Sequence, residues 1–278
     1  MFLVRVGMWQ YRLSWTDLLF LVDTVMPGRP DREKVARAIR GDTALLEQLL
    51  DDERVFQRVA REKELVVELS PWLYFTILLR RTTRELAQEA FTVELRSRQK
   101  VVLFDTEKVV ELLQDEAIRD YLAQMLASFT RVESVTIRMR VRRGVWYRVR
   151  ASELDVESMI RYAESLEPAF RYGAYRRIGE VCLFLAGVFP EHIDPSRRYP
   201  TQQLARWRAR SQLLTRLEDY ESHGQAFYRL ASEHEQARVE GMDTLLRTLA
   251  EDFIFAEKAL NVLTQRHLQL ARHELFQM

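Results

Sequence analysis

The sequence predicts a mainly α-helical protein with a small central β component and a C-terminal helical bundle. Glycine and proline, which interrupt helices, are sparse, with 9 and 7 copies in 278 residues. Apolar residues recur at helical spacing over most of the chain, whereas alternation typical of strands is found near the middle. The length suits one large domain or two ordinary ones, so the core needs no covalent cross-link.

Composition narrows the class of protein. Hydrophobic residues make up 47% and charged residues 30% of the chain, which is typical of soluble globular proteins. The single cysteine, Cys182, excludes a disulfide framework within the chain and favours a reducing compartment. No apolar run approaches the ~20 residues of a membrane span. Arg5, Arg12, Asp17 and Asp23 interrupt the N-terminal stretch, unlike a signal peptide. We expect a cytoplasmic protein without a membrane role.

Residues 1–90 are predicted to form an N-terminal helical region. Asp31 and Asp42 each precede a short helix and are expected to be N-caps, because their carboxylates can accept hydrogen bonds from unpaired backbone N–H groups. Ser70 as N-cap, with Pro71 at the first helical position, is a stronger start signal. The helix that follows is apolar nearly all round for two turns, which is typical of a helix inside a core.

Residues 91–151 are predicted to form a winged-helix-like module. Two short extended pieces, 91–95 and 100–104, follow the core helix. Two acidic helices are expected at about 106–114 and 115–129, and an alternating segment comes after them. Helix, strand, helix, helix and hairpin is the element order of a winged helix, in which the hairpin is the wing.

The alternating segment, residues 134–151, is called the arginine ribbon below. It reads SVTIRMRVRRGVWYRVRA and holds six arginines and no acid, although the whole chain has a net charge of only +1. Strand periodicity separates it into an apolar face and a second face. The second face carries Arg138, Arg140, Arg142, Trp146, Arg148 and Arg150.

The turn of the ribbon follows from this alternation. A three-residue loop at 142–144 keeps the two faces separate, and Gly144 suits the positive φ that often ends such a loop. The predicted register pairs Val141 with Val145, Arg140 with Trp146, Met139 with Tyr147, Arg138 with Arg148 and Ile137 with Val149. Because like charges directly across a ladder destabilise a sheet, arginine opposite arginine indicates an anion nearby.

Three sources of that anion remain open. Residues 105–120 carry six acids and two bases, so they are able to neutralise the ribbon within the chain. An acidic protein partner is another source. The third is the phosphate backbone of DNA or RNA, with Trp146 as a stacking platform for a single strand. The phosphate contacts would then be Arg138, Arg140, Arg142, Arg143, Arg148 and Arg150.

The second acidic helix argues against base reading by the predicted module. In a winged helix that reads DNA, this helix enters the major groove. Here residues 115–129 carry three acids and one arginine, so the duplex would repel them. A contact through the wing alone remains compatible with the sequence.

Residues 152–278 are predicted to form the C-terminal helical bundle. Ser152 and Asp155 resemble a capping box, and Pro168 is expected to end the helix that they begin. A proline-containing loop is expected at 189–201. One last helix, about 243–276, would be ~50 Å long. Its apolar seam, which either packs inside the bundle or pairs with a second copy of the chain, comprises Leu246, Leu249, Phe253, Ala256, Leu260, Leu263 and Leu270, with only His267 breaking the spacing.

No motif in the sequence indicates catalysis, and no catalytic, cofactor-binding or metal-ligating residue is predicted. Phosphate-binding glycine loops, the nucleophile elbow and the Glu-x-x-His pairs of di-iron sites are absent. Cys182 lies in the most apolar run and is expected to be a buried, inert thiol. Two further basic clusters, 196–198 and 205–210, are expected to be solvated.

The sequence therefore favours a non-enzymatic binding protein that contacts a nucleic-acid backbone. A helical scaffold, or an adaptor that forms a homodimer through its C-terminal helix, is the alternative. An enzyme whose site the sequence does not reveal is a third hypothesis.

Overall fold

A computed structural model describes residues 12–62, 65–89, 92–96, 99–103, 105–130, 135–142, 145–151, 154–193, 214, 216–268 and 272–276. In this part of the chain the protein is mainly helical, as predicted. No helix among these residues has both the length and the apolar character that a membrane crossing requires.

The first half of the chain contains eight of the described helices. They are α1 (Trp15–Val25), α2 (Arg32–Gly41), α3 (Thr43–Leu50), α4 (Glu53–Arg61), α5 (Leu65–Glu68), α6 (Pro71–Ala87), α7 (Thr106–Gln114) and α8 (Glu116–Phe129). Two strand pairs accompany them, β1 (Thr92–Arg96) with β2 (Gln99–Leu103), and β3 (Val135–Arg142) with β4 (Val145–Ala151).

The second half contains the remaining described helices. They are α9 (Val156–Ser165), α10 (Tyr172–Val188), α11 (Pro190–Ile193), α12 (Leu217–Glu233), α13 (Glu235–Glu240), α14 (Asp243–Glu251), α15 (Phe253–Leu263) and α16 (Arg272–Leu275). A 3₁₀ turn at Pro168–Phe170 and a π-helical turn at Thr264–Leu268 lie between them. Helix α11 occupies the start of the loop that was predicted at 189–201.

Two compact units divide the chain. Unit 1 comprises residues 1–92, 104–131 and 262–278, and unit 2 comprises residues 93–103 and 132–261. Helices α7 and α8 belong to unit 1, whereas β2, β3 and β4 belong to unit 2. The division into three consecutive domains, 1–90, 91–151 and 152–278, stays a prediction.

Helix α6 forms the core of unit 1. Ser70 accepts a hydrogen bond from Leu73 N at 3.2 Å, and Pro71 is the first helical residue, so the predicted start is confirmed. The side chains buried along α6 are Trp72, Leu73, Tyr74, Phe75, Ile77, Leu78, Leu79, Arg80, Thr82 and Leu86. The helix is therefore an interior helix, as its continuous apolar sequence predicts.

A buried carboxylate joins the starts of α1 and α6. Asp17 is fully buried and forms a capping box with Ser14, whose backbone N–H donates to Asp17 Oδ2 at 2.8 Å. The other oxygen, Oδ1, accepts a hydrogen bond from the backbone N–H of Ser70 at 2.9 Å. A single side chain thus satisfies unpaired donors at two helix N-termini.

The two predicted aspartate caps differ in outcome. Asp42 caps α3 and accepts a hydrogen bond from Leu45 N at 3.0 Å, which confirms the prediction. Asp31 occupies the N-cap position of α2 but makes no capping hydrogen bond. Its carboxylate instead accepts from Arg29 Nε at 2.8 Å, because a guanidinium two residues away competes with the backbone donors.

Helix α10 forms the core of unit 2. Every residue from Ile178 to Val188 is buried. Cys182 is fully buried within this run, as predicted, and burial raises the pKa of its thiol, which disfavours the reactive thiolate. Neighbouring helices approach glycines closely: an ideal Cβ on Gly187 would lie 2.6 Å from Leu260 Cβ, and one on Gly224 would lie 2.3 Å from Phe253 Cε2.

The start of α9 differs from its prediction. Asp155, not Ser152, is the N-cap, and its carboxylate accepts hydrogen bonds from the backbone N–H of Ser158 at 3.2 Å and from the Ser158 hydroxyl at 2.7 Å. Ser152 lies outside the described residues. The predicted capping box is wrong because aspartate is itself a strong N-cap. The helix ends at Ser165, before Pro168 begins the 3₁₀ turn.

The prediction of one continuous helix over 243–276 is wrong. The backbone N–H of Asp252 donates to Thr248 O at 2.8 Å and closes α14, while Asp252 O accepts from Phe255 N at 2.9 Å and starts α15. The π-helical turn then follows α15. Two local changes in hydrogen bonding thus replace the straight 50 Å helix that the apolar spacing predicted.

The predicted apolar seam is nevertheless real and lies inside the chain. Leu270 lies outside the described residues, and the other six members are fully buried, as packing within a bundle predicts: Leu246, Leu249, Phe253, Ala256, Leu260 and Leu263. Pairing with a second copy through this seam would require it to be exposed. The structure therefore favours the bundle over the homodimer through the C-terminal helix.

Replacing Gly187 by alanine should destabilise the protein, because the new Cβ would overlap a Cβ atom of α15 that cannot rotate away. We expect the free energy of unfolding to fall by about 1–3 kcal/mol, the usual cost of overpacking a core. Urea unfolding monitored by circular dichroism measures this change. Gly173→Ala, on the same helix with no atom within 4 Å of the added Cβ, is the control. Equal stability of the two variants would contradict the close packing.

Candidate functional site

The arginine ribbon contains the antiparallel strands β3 and β4. Its register pairs Arg140 with Trp146, Met139 with Tyr147, Arg138 with Arg148 and Ile137 with Val149, which are the pairs that the alternation predicts. Thr136 is opposite Arg150, two positions further along. Positions opposite each other lie about 5 Å apart, and successive pairs on the same face about 7 Å apart. The backbone thus places Arg138, Arg140, Arg148 and Arg150 on one face with Trp146.

The turn end of the ribbon differs from the prediction. Val145 is opposite Arg142 rather than Val141, and the register shifts between Arg140 and Arg142. The three-residue loop is therefore wrong. A bulge takes up one extra residue within a strand and leaves the alternation beyond it unchanged, which explains why the other pairs still agree.

The described part of the ribbon is its backbone. Nothing is described of the strand side chains, and Arg143, one of the predicted phosphate contacts, lies outside the described residues. The basic clusters 196–198 and 205–210 also lie outside them. The acids that were expected to neutralise the ribbon lie on α7 and α8 or at their N-termini.

Asp120, a half-buried member of these acids, is bound by donors of unit 1. Arg12 Nη1 donates to both carboxylate oxygens at 3.2 Å. Trp72 Nε1 donates to Oδ1 at 2.8 Å, and Gln124 Nε2 donates to Oδ2 at 2.9 Å. Burial raises the pKa of this carboxyl, and the charge of Arg12 and the hydrogen bonds from Trp72 and Gln124 oppose that shift. Its charge is already compensated locally.

Two further acids of residues 105–120, Asp115 and Glu111, have different environments. Asp115 is the N-cap of α8 and accepts hydrogen bonds from Ala117 N at 2.8 Å and Ile118 N at 3.4 Å. Glu111 is exposed on α7. Of the six acids at 105–120, Asp115 and Asp120 therefore serve the local structure of unit 1.

The three arginines near the end of α6 are also paired within unit 1. Arg80 hydrogen-bonds to Glu47 and lies 3.2 Å from Asp51. Arg81 forms ion pairs with Glu53 and Glu85, and Arg84 Nη2 lies 3.6 Å from Asp51 Oδ1. These arginines hold α3, α4 and α6 together.

Helix α8 corresponds to the helix that would enter the DNA groove in a winged helix, and one face of it packs in the core of unit 1. Its buried side chains are Ile118, Tyr121, Leu122, Ala123, Met125, Leu126 and Phe129. The polar residues Asp120 and Gln124 bond to each other on its other side. Packing and acidic charge both argue against base reading by this helix.

A charged cluster around His267 was missed from the sequence. His267 Nε2 lies 3.3 Å from Glu85 Oε2, and its ring packs edge-on against Phe56 at 5.4 Å. Arg266 bonds to Glu85 at 3.2 Å and to Glu89 at 2.7 Å. The sequence did contain a signal for this cluster, because His267 is the residue that breaks the apolar seam. In the structure His267 lies in the π-helical turn. Such turns are frequent at functional sites, and in this one both Arg266 and His267 lie beside Glu85.

Among the described residues, no group of three or more histidine, cysteine, aspartate or glutamate side chains is arranged to hold a metal ion.

Comparison with known proteins gave no relative. No protein-family model, no curated protein sequence and no solved structure matches the chain significantly.

Lowering the pH should destabilise the protein partly through His267. Burial lowers the pKa of His267, an effect that Arg266 and Arg81 reinforce and Glu85 opposes. The unfolded chain therefore binds a proton first as the pH falls below about 6.5, and the free energy of unfolding falls with it. Urea unfolding at pH 7.5 and pH 5.5 should show a smaller loss in His267→Gln than in the wild type.

The exposed histidine His273 provides the control for this measurement. His273→Gln should retain the wild-type loss of stability between the two pH values. If His267→Gln also retains it, His267 does not carry the pH dependence.

Proposed function

We propose that the chain is a non-enzymatic protein that binds the phosphate backbone of nucleic acid through the arginine ribbon. The pairing of Arg138 with Arg148, beside the pair of Arg140 and Trp146, carries the proposal. Like charges at opposite positions of a ladder destabilise it, so an anion bound at these positions would stabilise the ribbon. The guanidinium group binds a phosphate through two parallel hydrogen bonds, which makes arginine well suited to this ligand.

Two of the six acids at 105–120 are occupied within unit 1, which supports a ligand over neutralisation by these two, whereas Glu107, Glu111 and Glu116 are exposed. Asp120 is bound by Arg12, Trp72 and Gln124, and Asp115 caps α8. Neither carboxylate has its charge available without breaking contacts of unit 1. An acidic protein partner would satisfy the same arginines and is the alternative source of anions.

The proposal is restricted to positioning contacts with the backbone. Arginines at phosphates fix orientation but carry no sequence information. Base reading by α8 is not proposed, because its apolar face is buried and its polar face is acidic. The winged-helix-like order, with the small central β component as its wing, stays a prediction, because α7 and α8 fall in unit 1 and the ribbon in unit 2. Trp146 would stack on a base where the target is single-stranded.

The alternative from another class is a helical scaffold or a homodimer. Burial of the C-terminal seam leaves no described apolar face for dimerisation through that seam. We therefore favour nucleic-acid binding over self-association. The location in the cytoplasm is part of the proposal and fits a nucleic-acid ligand.

The double variant Arg138→Ala/Arg148→Ala should bind nucleic acid with a weaker dependence on salt. Fluorescence anisotropy of labelled single-stranded DNA, duplex DNA and RNA, each at several salt concentrations, gives the slope of log K against log salt. Two lost phosphate contacts should make the slope shallower by about 1.8 for duplex DNA and about 1.4 for single strands.

Arg238→Ala/Arg247→Ala removes the same charge from exposed helical positions of unit 2 and is the matched control. Its slope should equal that of the wild type. Absence of binding to all three ligands at low salt, or equal slopes for the two double variants, would overturn the proposal.

Stability distinguishes a ligand from neutralisation within the chain. Arg148→Thr removes the like-charge pair and retains a residue that favours strands, so the free energy of unfolding without ligand should stay constant or rise by about 0.2–1 kcal/mol. If acids of the chain neutralise the ribbon, the same change breaks a favourable contact and destabilises the protein. Urea unfolding at low salt separates the two outcomes.

A further inference from the structure

We infer that the strand pair β1–β2 supplies a second set of phosphate contacts, so that one nucleic acid is held by both strand pairs. This inference rests on the proposed function of the arginine ribbon. It adds a binding element that the sequence analysis did not assign, built around Arg96 and Lys100.

The division into units is the first observation. Residues 93–103 belong to unit 2, as does the ribbon, although helices α7 and α8 lie between them in the chain and belong to unit 1. The chain thus leaves unit 2 after β2 and returns to it before β3. The fold brings two strand pairs that are separate in sequence into one compact unit.

Charge distribution within unit 2 is the second observation. Residues 93–103 contain Arg96, Arg98 and Lys100 against one acid, and residues 132–151 contain six arginines against one acid. Together these two segments carry nine bases and two acids. The remainder of unit 2, residues 152–261, carries fourteen bases and eighteen acids, and five of those bases lie in 196–210, which hold no acid. The net positive charge of unit 2 is thus found in its strand segments and in residues 196–210.

Several acids of the helical remainder are already bound within their own elements. Glu157 pairs with Arg161, Glu180 with Arg177, and Asp243 with Arg247, at 3.7, 3.1 and 3.7 Å. Asp155 is occupied as the N-cap of α9, and Asp219 accepts a hydrogen bond from Arg216 N at 2.8 Å. Neutralising the strand segments with these acids would remove partners from the helices.

A polyanion is the ligand that fits this arrangement. Cationic positions collected in one unit repel one another, and an extended anion relieves that repulsion at several positions at once. Duplex DNA carries one negative charge per ~1.7 Å of its axis, so a single ligand has enough phosphates for two strand pairs. A small anion neutralises few charges at once, whereas a nucleic-acid backbone offers many phosphates to the cationic positions of unit 2.

The double variant Arg96→Ala/Lys100→Ala tests the inference in the full-length protein. Labelled single-stranded DNA, duplex DNA and RNA are titrated at several salt concentrations, as for the ribbon. The salt slope should become shallower by about 1.4–1.8, and combining the change with Arg138→Ala/Arg148→Ala should roughly double the reduction. Arg96→Lys/Lys100→Arg, which keeps both charges, should retain the wild-type slope. This conservative variant shows whether a loss arises from charge or from altered folding.

The failures of the two proposals are distinguishable. If the ribbon variant has a shallower slope and Arg96→Ala/Lys100→Ala has the wild-type slope, the ribbon binds nucleic acid and the inference about β1–β2 is overturned. If the wild type binds none of the three ligands at low salt, the proposed function fails and the inference fails with it. If the charge-conserving variant loses the slope as well, the effect comes from structure rather than charge and the inference is overturned.

Discussion

Burial of helix α10 is the constraint on which the helical part of unit 2 depends. From Ile178 to Val188 the helix has no exposed side, so its neighbours must cover it completely. Gly187 and Gly224 allow α15 and α12 to approach more closely than a Cβ would permit. The charged residues near its start pair with one another, as Arg177 and Glu180 do. The helices of unit 2 therefore bury their apolar faces against one another and pair many of their charged side chains among themselves. The positive charge of the strands is not accounted for by these contacts.

Local signals predicted local structure well and long elements less well. Ser70 and Pro71 identified the start of α6, because capping depends on the residues adjacent to the helix end. The seam from Leu246 to Leu263 was predicted to be apolar and is buried, yet it lies on separate helices. The spacing of apolar residues predicts which face of a helix is buried, and the buried face continues from α14 to α15 across Asp252. A helix break that keeps the same face buried does not change the spacing, so the sequence pattern does not reveal it.

The ribbon shows the same limit at the level of single residues. Its register beyond the turn could be deduced, since strand side chains have a period of two and a slip by one position would exchange the faces. Its turn could not. A three-residue loop, and a shorter loop combined with a bulge between Arg140 and Arg142, leave the same faces together. The alternation of faces determines only the total number of residues in the loop and the bulge together. Backbone geometry determines how many of them are in the loop and how many in the bulge.

The candidate site depends on which charged side chains lie close together in the folded protein. Closeness in the sequence does not predict these pairs well. The acids of α7 and α8 immediately precede the ribbon, yet Asp120 binds Arg12 and Trp72, which are 108 and 48 residues away in the chain. Those contacts hold unit 1 together, so drawing Asp120 to the ribbon would cost stability there. Arg138 is opposite Arg148 in the ladder, and like charges at opposite positions destabilise a strand pair. The proposed phosphate ligand would relieve that repulsion, because a nucleic-acid backbone has a high density of negative charge.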